Sequence, residues 1–534
     1  MPNTLRLTGQ QVAEMWKLRF RDKGPGHPYW LYTHIPFCPQ ICSFCQCSTG
    51  LVKSDREVEM YLQYLEAETD SLADVSRSGV VKFQYVGGGT PNMLSEPQLE
   101  RLLGKLNRSF RFDPGSRRTF EFLPSALRPE TLPLVHAFGF NRLSCGIQSF
   151  SRETLKAVNR SQVGLDELGR TIQDAYDLGY DEFNVDLIHG IGDETRAGFL
   201  DGLLHVLSLR PTTVTLHHVI PTANNPVYAS VREELAAHAT FEALESFLGE
   251  AVARRFPHLE WVLRPNSWVV VDRCFRRGPE FSYWYYSDNE RIHIDMLSLG
   301  RFAHSNILGQ VCYENLADAE RYDPQEAGYH AFRKTPAIDA ALDVITDLVG
   351  ERKSDLASIG ERYGADALSP LYPVLERLQK EGLLRYRSER CEAVRTDGVF
   401  IDPFWPLLKA AMQATAAPWR VPASRGTQQG IRIGKGERSL LVFIEPIDPE
   451  KRYFDRIESL GIYCLNPDGE SPRAQEDWVE ELMRGFLGEV RELLEQVPNI
   501  TPRAAAVRLK YSHRHKESLT DGVAAVGATT VAAR

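Results

Sequence analysis

Four of the chain's nine cysteines fall within ten residues, in the run YTHIPFCPQICSFCQC that ends at Cys47. Cys38, Cys42 and Cys45 form a CxxxCxxC pattern. Thiolates are soft ligands that suit zinc and iron–sulfur clusters. A structural zinc site usually draws four ligands from two separated pairs, and no second pair follows downstream. Three closely spaced cysteines leave one iron of a 4Fe–4S cubane without a protein ligand, open to chelate a substrate. The bland alternative is a zinc knuckle completed by Cys47 or His34. Cys47 could be a fourth ligand, a radical-handling thiol or a filler. Its spacing from Cys45 is awkward for the same cubane, which favours a thiol near the site but outside the ligand set. The remaining cysteines are scattered and read as small packing residues.

The open iron suits the amino and carboxylate groups of S-adenosylmethionine (SAM). Electron transfer into the sulfonium would break a C–S bond and release a 5′-deoxyadenosyl radical. A second motif, GGGTP at 87–91, follows the β-rich run KFQYV. Glycines let backbone groups approach a ligand closely, and free N–H and C=O groups there could bind the amino end of SAM. By itself a glycine run marks only a tight turn.

Positioning these loops requires a regular scaffold. β-rich runs recur at 29–35, 82–87, 118–123, 141–148, 182–188 and 212–220, separated by amphipathic stretches such as 56–75, 96–110 and 164–179. Six strands alternating with helices predict parallel βαβ units, closed into a full or partial barrel or opened into a doubly wound sheet. Glu121 and Asp186 fall in or at the ends of β runs, where inward polar groups need partners. Residues 226–335 are mixed α/β, and the aromatic stretch 279–293 could stack on a planar ligand. Residues 336–410 are helical and end in a winged-helix-like pattern. A linker is expected at 411–430, a small α+β domain at 431–502 and a disordered tail at 503–534, with 1–28 as an N-terminal extension.

Apolar residues make up 43% of the 534, and net charge is −9. Such a chain reads as globular and lacks the basic face that nucleic acid or an anionic membrane wants. No run of about 18 apolar residues and no signal-peptide core occurs, so a cytoplasmic location is expected.

The stretches YTHIPFCPQICSFCQC, YVGGGTP, FEFLPSAL, GFNRLSCGIQSF, VNRSQ and NVDLIHG, in that order, resemble the oxygen-independent coproporphyrinogen III oxidase family of radical SAM proteins. That family takes in the oxidases, haem-chaperone relatives and class C radical SAM methyltransferases. The similarity covers about 29–225 and continues more weakly to about 410. It implies a partial (β/α)6 radical SAM barrel at 29–225 with the cluster at its C-terminal mouth. It also implies that Tyr32 lies beside SAM, that Phe44 packs near the adenine, and that Gly88, Gly89 and Thr90 line the amino group. Glu121, Gln148, Arg160 and Asp186 would contact the bound SAM. A flavodoxin or ferredoxin would supply electrons.

Three stretches depart from the family pattern: GIGDET after strand 182–188, FLPSA near the third strand, and LSLGRFAHS at 297–305. With the added C-terminal region, they motivate the expectation of a class C-like methyltransferase. It would use two SAM molecules and act on an sp2 carbon of a planar aromatic substrate. The alternatives are oxidative decarboxylation of coproporphyrinogen III and a haem-binding chaperone. Cys47 favours the first of these and argues against the second.

Overall fold

The computed structural model describes residues 4–45, 47, 49–191, 194–218, 241–264, 267–271, 294–316, 322–325, 328–350, 353–387, 389–394, 404–414, 419–425, 428–435, 438–445, 459–465, 506–511 and 529–531. The aromatic stretch 279–293 and the expected helix at 477–497 lie outside them. By compactness the chain divides into two units. One holds Trp16–Tyr329 and Lys334–Thr415; the other holds Met1–Met15, His330–Arg333 and Ala416–Arg534.

The first unit carries all six expected strands: β1 (Pro28–Ile35), β2 (Val80–Gly88), β3 (Phe112–Phe122), β4 (Arg142–Gln148), β5 (Glu182–His189) and β6 (Thr213–His218). They lie side by side in sequence order, each parallel to the next. A hairpin of β7 (Glu260–Arg264) and β8 (Ser267–Val271) adds antiparallel to β6 through β8. On the other edge β9 (Asp295–Leu299) runs parallel to β1, followed by antiparallel β10 (His304–Ile307) and β11 (Val311–Asn315). Residues Asp295–Leu299, within the stretch read as mixed α/β, thus form a further parallel strand of the main sheet. The result is an α/β fold with a largely parallel sheet.

Helices follow the strands as the periodicity predicts. In α1 (Asp55–Ser76) and α2 (Glu96–Ser109) the apolar face is turned inward. Leu99, Leu102, Leu103 and Leu106 are buried at the spacing of one helix face. A capping box between Ser95 and Gln98 starts α2. Truncating one such leucine to Ala would cost about 2–5 kcal/mol. Next come α3 (Thr131–Ala137), α4 (Arg152–Ala157), α5 (Leu165–Leu178) and α6 (Arg196–Ser208). α5 ends at Gly179, whose φ of +101° suits glycine at a helix C-terminus.

Between 336 and 393, helices Pro336–Gly350, Leu356–Tyr363, Ala365–Leu368 and Tyr372–Lys380 pack with strands Lys353–Asp355, Leu384–Arg387 and Arg390–Ala393. The strands pair antiparallel, giving the expected winged-helix-like subdomain. Among the described residues, no helix is long and apolar enough to cross a membrane.

The second unit contains a six-stranded sheet of Trp419–Arg425, Gln428–Lys435, Arg438–Glu445, Ser459–Leu465, Ala506–Tyr511 and Thr529–Val531, in that order. Here the structure differs from the expected organisation. The first strand falls in the stretch read as a linker, and the last two fall in the stretch read as a disordered tail. Low bulky apolar content made 411–430 look like a linker; its Pro422 sits on the edge strand, where a missing N–H is tolerated.

Candidate functional site

The cysteine loop grows directly from the C-terminal end of β1. Pro36 turns the chain, and Phe37–Cys38 pairs with Gly50–Leu51, closing the loop at its base. Gly50 N–H donates to Pro36 O at 2.7 Å and Val52 N–H to Cys38 O at 3.4 Å. Cys42 is buried, Cys38 and Cys45 are half-buried, and Cys47 is exposed.

Each thiol meets polar groups from neighbouring elements. Thr90 Oγ1 donates to Cys38 Sγ at 3.5 Å, and Arg160 Nη1 lies 3.6 Å from Cys42 Sγ. The Cys45 thiol is pushed down to about 6, chiefly by a hydrogen bond from Cys47, with Thr49 and the Arg160 charge adding. Burial pushes the Cys38 thiol up, against hydrogen bonds from Thr90 and Thr49. Among the described residues no three His, Cys, Asp or Glu side chains converge as they would around a single metal ion. A cubane spreads its thiolates over separate irons. A three-cysteine loop with hydroxyl donors, a nearby guanidinium and one acidic thiol suits such a group.

The glycine turn after β2 packs against this loop. Gly89 N–H donates to Ile35 O and Thr90 N–H to Phe37 O, both at 2.7 Å. Gly88 N–H donates to Glu121 Oε2 at 3.1 Å. All three N–H groups are therefore used inside the fold, which corrects the expectation that they stay free for a ligand. What remains for an ammonium is carbonyl oxygen, the acceptor that a donor needs. Gly88 has φ +106° and faces the His34 ring; a Cβ there would come within 2.3 Å of Nδ1. A Cβ at Gly89 would come within 2.5 Å of Phe37 O.

The acidic residues lie across the same mouth. Glu121, near the end of β3, has its carboxyl pushed up to about 7 by burial; Asp186 adds to the rise, while Gly88 N–H and Arg160 oppose it. Burial also works to raise Asp186 on β5. Hydrogen bonds from His217 and Asn184 and the Arg142 charge outweigh it and hold this carboxyl below its usual range. Asn184 Nδ2 donates to Asp186 Oδ1 at 2.8 Å, and Ser144 Oγ donates to Oδ2 at 3.2 Å. Thr213 and Thr215 hydroxyls donate to Asn184 Oδ1 and fix its amide. His217, Asn184 and Ser144 went unnoticed in the sequence. Their signal was the strand period, since 184 and 186 share a face of β5.

Arg160 joins the two sides. Its Nη2 donates to Gly146 O, and a Cβ on Gly146 would press on both Gln148 Nε2 and Arg160 Nη2. Gln148 is a non-glycine residue at φ +73°, set beside a register shift between β4 and β5. Its Oε1 is buried with no hydrogen-bond partner, as is Arg160 Nε. Polar atoms buried without a protein partner are costly.

Tyr32 and Phe44 mark opposite flanks. Tyr32 OH hydrogen-bonds His34 Nδ1 at 2.8 Å, close to Gly88. Phe44 packs on Val158, Ile188 and Ile191. Beside Tyr32 an aromatic wall of Trp30, Phe83 and Tyr85, with Met296, continues along β1, β2 and β9. The structure thus gathers Cys38, Cys42, Cys45, Cys47, Thr90, Glu121, Gln148, Arg160 and Asp186 at one end of the parallel strands, with Tyr32 and Phe44 on its rims.

Residues 32–203 match the Radical SAM superfamily. The chain is 34% identical over 379 residues to an oxygen-independent coproporphyrinogen III oxidase of Escherichia coli, covering 67% of this chain and 80% of that one. A Helicobacter pylori protein of the same description is 28% identical over 397 residues, covering 70% and 84%. The heme chaperone HemW of E. coli is 33% identical over 184 residues, 34% of this chain and 48% of its own. In three dimensions the chain is similar to the E. coli coproporphyrinogen III oxidase HemN, with TM-score 0.60 and 23% identity, covering 74% of this chain and 93% of that one.

Proposed function

The chain belongs to the oxygen-independent coproporphyrinogen III oxidase family of radical SAM enzymes, and from that membership we propose that it oxidatively decarboxylates a coproporphyrinogen-type tetrapyrrole. As a radical SAM enzyme it uses a 4Fe–4S cluster and SAM. The observation that carries the proposal is the reach of the similarity. It runs over 379 residues and four fifths of the E. coli relative, well past the 29–225 core. The methyl-transfer expectation rested on altered stretches and the added C-terminal region, whereas an alignment this long extends beyond the core. The chaperone match stops at about a third of this chain.

In this reading Cys38, Cys42 and Cys45 hold the cluster, and Cys47 stands outside the ligand set as a thiol beside the reacting groups. Bound there, the cluster would supply one-electron reduction of SAM, with the electron drawn from a flavodoxin- or ferredoxin-type donor. Arg160 pairs with the SAM carboxylate through charge-assisted hydrogen bonds. Carbonyls of the Gly88–Thr90 turn and the Glu121 carboxylate accept hydrogen bonds from the amino group. Asp186, kept ionised by its hydrogen-bonded surroundings, accepts from ribose hydroxyls, and Gln148 Oε1 gains the donor it lacks. Phe44 packs against the adenine and Tyr32 closes the opposite side. A second SAM would serve the second propionate, and the electron released with each carbon dioxide would pass to a one-electron acceptor.

Anaerobic turnover with coproporphyrinogen III tests this. Carbon dioxide, methionine and 5′-deoxyadenosine should form together, without S-adenosylhomocysteine. S-adenosylhomocysteine appearing in step with 5′-deoxyadenosine would overturn decarboxylation in favour of methyl transfer. Haem binding with no SAM cleavage would favour the chaperone.

A further inference from the structure

The segment Val158–Ser161 runs along the cysteine loop and touches four consecutive residues of it. Ser43 N–H donates to Val158 O at 3.1 Å. Asn159 Nδ2 donates to Ile41 O at 2.8 Å. Arg160 Nη1 lies 3.6 Å from Cys42 Sγ, and Ser161 Oγ donates to Gln40 Oε1 at 3.2 Å. Together these contacts clasp the stretch Gln40–Ser43, which spans the middle cysteine.

Asn159 is the pivot of this clasp. Its φ is +54°, a region that L-residues seldom adopt, although asparagine does so more readily than most. Part of the reason is ordinary. Asn159 follows the short helix α4, and Arg160 N–H donates to Leu155 O at 2.8 Å, the pattern of a helix end closed by one left-handed residue. Glycine would serve that cap at least as well. What glycine lacks is the side-chain amide that reaches Ile41 O. One residue thus does two things: its backbone aims Arg160 back at Cys42 and Gly146, and its side chain pins the loop between Cys38 and Cys42.

We propose that Asn159 is the positioning residue of the cysteine loop, fixing by one side-chain hydrogen bond the loop that Arg160 addresses from the same turn. The proposal rests on these cysteines being the cluster ligands, and its test does not need the tetrapyrrole. Two substitutions separate the two jobs. Asn159→Gly keeps the backbone conformation and removes the amide; Asn159→Ala removes the amide and also disfavours the left-handed backbone.

The full-length protein, reconstituted anaerobically, is compared by three readouts: exchange of the Ser43 amide hydrogen, iron release to a chelator, and SAM affinity. A single neutral hydrogen bond corresponds to about a two- to tenfold change. Both variants should speed Ser43 exchange and iron release by about that factor, Asn159→Gly at unchanged melting temperature and Asn159→Ala at a slightly lower one because of its backbone strain. Asn159→Gly should hold SAM affinity within about twofold, while Asn159→Ala should weaken it because Arg160 is displaced. Wild-type exchange and iron release in Asn159→Gly would overturn the side-chain role. Faster exchange across the whole sheet, with a lowered melting temperature, would overturn it in favour of a general folding role. If Cys42→Ala retained its iron, the cluster assignment itself would fail, an outcome distinct from either of these.

Discussion

Glu121 makes SAM affinity and folding stability respond to pH in opposite directions. Burial sets its carboxyl at about 7 against an ordinary 4.5. The ionised form is the stronger acceptor for the amino N–H groups, so SAM should bind up to about tenfold more weakly at pH 6 than at pH 8. For stability the sign reverses. A carboxyl whose folded pKa exceeds its unfolded value binds more protons in the folded state between those values. Its contribution is full below about 4.5 and is lost as pH rises through about 7, at most about 3 kcal/mol. Glu121→Gln should therefore be more stable than wild type at pH 8 and equal to it near pH 5, while binding SAM weakly at both. Glu68 is also pushed up to about 7 by burial, so the difference between wild type and variant, not either curve alone, isolates Glu121. Equilibrium binding of SAM to the reconstituted protein and urea midpoints, each from pH 5 to 8, measure the two effects. Parallel wild-type and variant binding curves would refute the hydrogen bond from the amino group to Glu121. A variant no more stable at pH 8 would refute the buried, costly carboxylate.

Cys42→Ala should lose the cluster and all SAM cleavage, whereas Cys47→Ala should keep normal iron and 5′-deoxyadenosine formation yet yield less product; iron assay and product analysis separate them. Gly89→Ala would force a methyl against the Phe37 and Ile35 carbonyls, at 2.5 and 2.7 Å; a cost of about 1–3 kcal/mol should appear as a lowered melting temperature together with iron loss. Glu68 accepts hydrogen bonds from Gly300 N–H, Asn315 and Tyr329; Glu68→Ala would strand these buried donors, costing about 3 kcal/mol or more by urea titration, and Glu68→Gln should lose less because it retains an acceptor.

The parts of this site that were legible in the sequence are those built from contiguous residues. CxxxCxxC lies on one loop because ligands to one cluster must lie close together, and GGGTP marks a turn where a Cβ would strike backbone. The six parallel strands were legible because buried strands are rich in β-branched and aromatic residues. What stayed hidden depends on register between distant segments. That the Gly88 N–H would be taken by Glu121 follows from β2 and β3 pairing side by side. His217 reaches Asp186 only because β5 and β6 are paired with Asp186 opposite Thr215. Asn159 looks like a helix end until its side chain is seen against Ile41. The reaction was the least legible feature for the same reason. Local motifs report SAM chemistry, which every reaction of the family shares, whereas the second half that bears on the choice of reaction carries no compact motif. Three altered short stretches and the added C-terminal region pointed to methyl transfer, while diffuse similarity over 379 residues favours decarboxylation. Diffuse similarity is the weightier signal, because a substrate surface is shaped by many packed residues, and a few changed turns leave most of that packing in place.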